Sequence, residues 1–131
     1  LVISKLFYTP EYGDIVVLRQ ESFRDEPIVK RVIATEGQWV DINFAEGIVY
    51  VGDDLDNLVA LEEPYTKSLT TNPEGVTFPL QVSDGSIFVL GDNRNASEDS
   101  RNAEIGNIRK QDIESKAWFN ATMGDKFGKI E

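Results

Sequence analysis

Several residue types with well-known chemistry are missing from this chain of 131 residues, which contains no cysteine and no histidine. The lack of cysteine excludes disulfides, and the lack of both residues excludes zinc sites of the Cys/His kind. Mechanisms with a histidine base, including the Ser-His-Asp triad, are excluded as well. Any general base must therefore be a lysine, an aspartate, a glutamate or a tyrosine.

Positive charge and long hydrophobic segments are also scarce. The chain has 13 basic and 23 acidic residues, for a formal charge of −10, which argues against a nucleic-acid partner and against electrostatic adhesion to anionic lipid. No apolar run approaches the roughly 18 residues of a membrane span. The chain begins at Leu1-Val2-Ile3 without an initiator Met or a signal sequence, so we expect an excised piece of a longer protein.

Short β-branched runs bounded by Gly, Pro, Asp and Asn indicate a mostly β fold. They predict strands near residues 15–18, 28–33, 40–43, 48–51 and 87–90. Turn signals about every ten residues favour a barrel or a sandwich. The stretch 52–84 is acidic and loop-rich. We expect one domain over residues 1–131, with a core of about 1–51 and 85–131 and a smaller, loop-rich insertion of about 52–84.

Lys30 lies inside an otherwise apolar run, where strict alternation places it on the same face as Ile28 and Val32. Apolar surroundings disfavour the charged form of a lysine, and a neutral lysine can act as a general base. The alternative is an edge-strand lysine whose amine reaches water.

A second polar group follows the apolar run 87–90. It comprises Gly91-Asp92-Asn93-Arg94-Asn95-Ala96-Ser97-Glu98-Asp99-Ser100-Arg101. Polar side chains tied to a buried strand must find internal partners or bear a desolvation cost, which makes this loop a candidate site. The alternative is an ordinary structured loop with a surface ion pair between Asp99 and Arg101.

These motifs resemble those of one enzyme family. The loop 91–101 is similar to the C-terminal signature of bacterial type I signal peptidases, and Lys30-Arg31-Val32-Ile33 resembles the lysine motif of that family. Tyr12-Gly13-Asp14-Ile15-Val16-Val17 resembles the box that precedes the lysine motif, and Glu63-Pro64-Tyr65 also fits. The resemblance implies a coiled β-sheet or barrel core and a Ser/Lys dyad, which needs no histidine and no cofactor.

The resemblance also implies roles for individual residues. Lys30 matches the general base, and Ser97 matches a second serine whose hydroxyl orients the lysine amine. Asp99 and Arg101 match a supporting ion pair behind the site.

Four further residues take roles from the same resemblance. Asp92 and Arg94 match further supporting structure around the site. Ile28 and Val29 match the strand that lines the substrate groove and pairs with an extended signal peptide.

The serine nucleophile of the family lies in a Ser-x-Ser-Met-x-Pro-Thr motif, which is not found in these 131 residues. We therefore expect the nucleophile and an N-terminal membrane anchor to lie outside this chain, and the chain alone to be inactive. The expected partners are preproteins that carry signal peptides. The expected location is the bacterial cell membrane, with the catalytic domain on the extracytoplasmic side.

The truncated edge is expected to expose apolar groove residues, through which the chain could associate with itself. Two other functions stay open: a self-cleaving repressor-type Ser/Lys protease domain, and a catalytically silent homologue that only binds peptides. No metal site is expected, because Asp53-Asp54-Leu55-Asp56 lacks the Gly and the distal Glu of a calcium loop.

Overall fold

The computed structural model describes residues 2–4, 9–18, 28–64, 66, 69–95, 99–102, 105–109 and 112–117. These residues form ten β-strands and one short 3-10 turn at Leu55–Asn57. The strands are β1 (Val2–Ser4), β2 (Ile15–Leu18), β3 (Ile28–Thr35), β4 (Trp39–Asn43), β5 (Ile48–Gly52), β6 (Val59–Ala60), β7 (Leu80–Gln81), β8 (Ser86–Leu90), β9 (Ile108–Arg109) and β10 (Ile113–Ala117).

The strands form two antiparallel sheets. The first has six strands in the order β1-β10-β2-β3-β8-β9, and the second has four in the order β6-β5-β4-β7. The chain therefore leaves the first sheet after β3, builds the whole second sheet, and returns as β8. The pairing of β3 with β8 shifts register between Val32 and Ala34, which is the signature of a bulge that bends and twists a strand.

Strand β8 explains how the two sheets are joined, because all five of its residues are buried. Ile87 and Val89 belong to an apolar cluster on one face of the first sheet, together with Val16, Leu18, Val32, Ile105, Ile108 and Ile113. Phe88 and Leu90 point to the other face and pack in a second cluster with Val40, Ile42, Val49 and Val51 of the second sheet and with Val82, which follows β7. A strand covered on both faces is rich in apolar residues without alternation.

The division into a core of about 1–51 and 85–131 and an insertion of about 52–84 stays a prediction. The structure places β4 and β5, which fall in the part expected to be core, in the second sheet. The excursion from the first sheet thus begins after Thr35 and ends before Ser86. Alternation identifies these runs as strands without saying which sheet they join.

The turn between β4 and β5 contacts the segment at residues 69–70 through Gly47. Gly47 has φ +76°, and its carbonyl accepts a hydrogen bond from the amide of Thr70 at 3.1 Å. A Cβ added to Gly47 would lie 2.4 Å from the Cβ of Leu69 and 3.1 Å from the Thr70 nitrogen. The absence of a side chain at Gly47 is what allows this close approach of the segment at residues 69–70.

Replacing Gly47 with Ala is expected to lower the free energy of unfolding by about 2–4 kcal/mol, from backbone strain together with overpacking. Gly85 is the matched control because it has φ +72° but nothing within 4 Å of an added Cβ. Gly85→Ala should therefore cost only the strain, about 1 kcal/mol. Urea denaturation of both variants measures the two losses in free energy of unfolding. Equal losses would show that crowding of the new Cβ against Leu69 adds nothing to the backbone strain.

Candidate active site

Lys30 lies on an inner strand and is buried. It pairs with Val16 across β2 and is 1% exposed. Paired residues of antiparallel strands share a face, as do alternate residues of one strand. Lys30 therefore projects from the face that carries Val16 and Val32, both members of the first apolar cluster. The alternative of an edge-strand lysine that reaches water is wrong.

Asp99 and Arg101 form an ion pair that is completely buried. The guanidinium donates from Nε to Oδ1 at 2.9 Å and from Nη2 to Oδ2 at 3.0 Å, and both side chains are 0% exposed. Asp99 also accepts from the backbone amides of Gly91 and Arg101 at 3.0 and 3.1 Å. The alternative of a surface pair is wrong, and the fully bonded carboxylate fixes the two ends of the loop relative to each other.

Arg101 reaches beyond this carboxylate to the chain that returns from the second sheet. Its Nη2 lies 3.3 Å from Oε2 of Glu74, and its Nη1 donates to the carbonyl of Asn72 at 3.4 Å. The same Nη1 donates to the carbonyl of Arg94 at 2.9 Å. Backbone contacts run alongside, since the amide of Val76 donates to the carbonyl of Arg101 at 3.0 Å.

Arg94 is also fully buried, and its partners come from two parts of the chain. Its Nε donates to the carbonyl of Gly91 at 2.7 Å. Its Nη1 donates to Oε1 of Glu63 at 3.1 Å and to Oγ1 of Thr70 at 2.8 Å, and its Nη2 donates to Oε2 of Glu63. A two-pronged contact of this kind fixes orientation as well as charge.

Asp92 has a different partner from its neighbours in the loop. It accepts from Nε and Nη2 of Arg31, each at 2.8 Å, and Nη1 of Arg31 donates to the carbonyl of Gly13 at 3.0 Å. Arg31 follows Lys30 in β3, so its side chain lies on the opposite face of the strand. The pair joins the loop, the lysine strand and the turn at Gly13.

The start of β3 extends past the end of its neighbour. Strand β2 pairs along Ile28 to Arg31, whereas the pairing with β8 covers Arg31 to Thr35. Ile28 and Val29 thus lie beyond the ladder formed with β8, directly before Lys30. This margin of the sheet is where an added peptide strand could pair next to the lysine.

Ser97 lies outside the described residues, as do its neighbours Ala96 and Glu98. The predicted contact between Ser97 and Lys30 therefore stays a prediction. Ser100, which follows nearby, is buried and bonded to β8: its amide donates to the carbonyl of Val89 at 3.1 Å, and its hydroxyl accepts from the Val89 amide at 3.0 Å. Val89 pairs with Val32, so Ser100 is bonded to the strand that neighbours β3.

A family model described as signal peptidase, peptidase S26, matches residues 1–121. The chain belongs to this family. Probable signal peptidase I-1 of Synechocystis sp. is 31% identical over 141 residues, which cover 99% of this chain and 65% of that protein. Thylakoidal processing peptidase 1 of Arabidopsis thaliana is 31% identical over 110 residues, covering 76% of this chain and 29% of that protein. The chain thus spans less than two thirds of the length of either relative.

The fold agrees with the family. The crystal structure of a signal peptidase I from Enterococcus faecalis V583 matches with a TM-score of 0.66 and 25% identity, over 85% of this chain and 98% of that chain. This confirms the mostly β, signal-peptidase-like core expected from the sequence.

Sequence reasoning missed the partners of the buried arginines Arg94 and Arg101. Glu63, Thr70, Asn72 and Glu74 all come from the stretch 52–84, for which the sequence predicts an acidic, loop-rich insertion. Glu63 was noted only as part of a family motif. Charge balance could have indicated them, because two buried guanidiniums in one loop require carboxylates from elsewhere in the chain as partners.

Within the described ranges, no helix has the length and apolar character needed to cross a membrane. The same residues contain no group of three or more acidic side chains arranged to hold a metal ion.

Proposed function

We propose that the protein is a signal peptidase, a serine endopeptidase that removes signal peptides from secreted preproteins, with Lys30 as its general base. The observation that carries the proposal is the burial of Lys30 to 1% exposure on an apolar face of β3, where the next residue, Arg31, binds Asp92 of the 91–101 loop. Burial in such surroundings favours a neutral amine, which can accept a proton near pH 7.

The reaction then follows from the dyad. The amine of Lys30 accepts the proton of a serine hydroxyl, and the serine oxygen attacks the carbonyl carbon at the end of the signal peptide. The peptide C–N bond breaks as the lysine ammonium returns the proton to the departing amine. Water hydrolyses the resulting ester, again with Lys30 accepting a proton, and the serine is regenerated. The serine is contributed from outside residues 1–131.

The remaining parts of the proposal concern substrate and place. Ile28 and Val29 pair with the extended signal peptide at the margin of β3, next to the base. Asp92, Arg94, Asp99 and Arg101 hold the loop in which Ser97 orients the lysine amine. The protein acts at the bacterial membrane on the extracytoplasmic side, and the isolated 131-residue chain is inactive and associates with itself through its truncated edge.

The test is a cleavage assay of the full-length protein with a purified preprotein, followed by mass spectrometry of the products. The expected result is one new N-terminus directly after a small residue, and no product with the 131-residue chain alone. Cleavage of the protein's own chain with an intact preprotein would favour a self-cleaving protease. Binding of the preprotein without cleavage would favour a silent homologue, and either result would contradict the proposal.

A further inference from the structure

The negative charge that balances the buried guanidinium of Arg94 comes from Glu63, which lies in the segment between β6 and β7. Arg94 lies in the loop after β8, yet both oxygens of the Glu63 carboxylate accept from its Nη1 and Nη2. Thr70, 1% exposed, adds a third acceptor at 2.8 Å. The fourth is the Gly91 carbonyl at the start of the loop.

Glu63 is the carboxylate on which this charge depends. A guanidinium stays protonated in a protein interior, so its burial requires a negative partner close by. Asp99 directs both of its oxygens to Arg101, and Glu74 also contacts Arg101. The side chain of Glu63 is 12% exposed, so water screens its contact with Arg94 only weakly.

Arg94 in turn fixes the loop at two points. Its Nε binds the carbonyl of Gly91, and its own carbonyl accepts from Nη1 of Arg101. The loop is bonded to β8 through Ser100 and Val89, and β8 pairs with β3 next to Lys30. The loop also contacts β3 directly, because Asp92 accepts from Arg31, the residue after Lys30. Bonded contacts therefore run from Glu63 through Arg94 and the loop to the strand that carries the lysine.

We propose that Glu63 is a positioning residue of the peptidase reaction, which holds Arg94 and, through it, the 91–101 loop against the strand of Lys30. This inference rests on the proposed function. Thr70 assists by binding the same guanidinium, and the turn at Gly47 sets its place through the Thr70 amide.

The experiment measures signal-peptide cleavage by the full-length protein with Glu63→Gln, Glu63→Asp and Glu62→Gln. Glu63→Gln should lower kcat by about 10- to 100-fold with KM nearly unchanged, since a small displacement of the catalytic groups slows the chemical step. It should also move the midpoint of the pH profile of kcat, because the surroundings of the base change. Glu63→Asp keeps the charge and should recover part of the rate.

Glu62→Gln is the matched control, since Glu62 is adjacent but exposed. The backbone carbonyl of Glu62, which accepts from the Tyr12 hydroxyl, is kept in this variant. It should match the wild type in rate and pH profile. A Glu63→Gln protein with the kcat and pH profile of the wild type would overturn the inference and leave the proposed function intact.

A milder pair covers the case in which Glu63→Gln does not fold. Thr70→Val removes the acceptor for Arg94 at nearly constant volume, while Thr70→Ser keeps the hydroxyl. Thr70→Val should lower kcat several-fold and shift the pH profile in the same direction, with Thr70→Ser close to the wild type. Equal rates in the two variants would overturn the inference.

Hydrogen–deuterium exchange separates this inference from the proposed function, because it needs no substrate. Faster exchange at the amides of residues 91–102 in Glu63→Gln, but not in Glu62→Gln, supports the hold of Glu63 on the loop. Unchanged exchange there overturns it. If the wild-type protein cleaves no preprotein, the proposed function fails whatever the exchange shows.

Discussion

Replacing Lys30 with Met is expected to abolish preprotein cleavage by the full-length protein, with a loss of about 10⁴-fold in kcat/KM. Methionine approaches lysine in length and is apolar, so it should fill the space beside Val16 and Val32 while removing the proton acceptor. The free energy of unfolding should stay within about 1.5 kcal/mol of the wild type or rise, because the buried amine costs solvation.

Lys30→Arg is the control that separates charge from proton transfer. A guanidinium keeps the positive charge but does not deprotonate in proteins, so this variant should also be inactive. Activity in either variant at the level of the wild type would remove Lys30 from the mechanism. The unfolding curve shows whether an inactive variant is still folded. Methionine is chosen at position 30 because its size and apolar character should preserve the fold.

The second large effect is expected at the buried pair of Asp99 and Arg101. Asp99→Asn nearly preserves shape but removes the charge that faces a guanidinium with 0% exposure. Leaving one partner of a buried pair uncompensated costs about 3–5 kcal/mol. In a domain of this size, that loss should lower Tm by roughly 10 °C or more. Thermal and urea unfolding of the chain measure both quantities.

The control is an ion pair at the surface. Nε of Arg109 lies 3.5 Å from Oδ2 of Asp112, and the Arg109 side chain is 66% exposed. Asp112→Asn should change the free energy of unfolding by no more than about 0.5 kcal/mol, because water screens the pair. Similar small losses at Asp99 and at Asp112 would show that the buried pair does not stabilise the fold.

Local sequence was sufficient for the strands with continuous apolar runs and insufficient for β10, which has none. The apolar runs at 15–18, 28–33 and 87–90 correspond to β2, β3 and β8, since their apolar residues fill the two clusters. Strand β10 includes Glu114, Ser115 and Lys116, and no alternation marks it. It forms because β1 and β2, about a hundred residues earlier in the chain, pair with it on both sides.

The same division applies to the candidate site. The apolar neighbours of Lys30 in sequence left open a buried lysine or an edge-strand lysine, and the fold buries it. The family resemblance paired Asp99 with Arg101, two residues apart. The contact between Arg94 and Glu63 spans 31 residues, and no periodicity connects the two positions. Their pairing follows from the folded path of the chain, which brings a long excursion back against the loop after β8.

The antiparallel bridge between Gly75 and Asn102 bears on how this architecture can be recombined. The contacts of Glu63, Asn72 and Glu74 with Arg94 and Arg101 act in the same place. The segment 61–76 therefore packs with the loop after β8, although the two are far apart along the chain. A chimera that exchanges the second sheet between two family members should therefore exchange β4 to β6 together with β7, which pairs with β4. Residues 61–76, which lie between β6 and β7, should stay with the recipient.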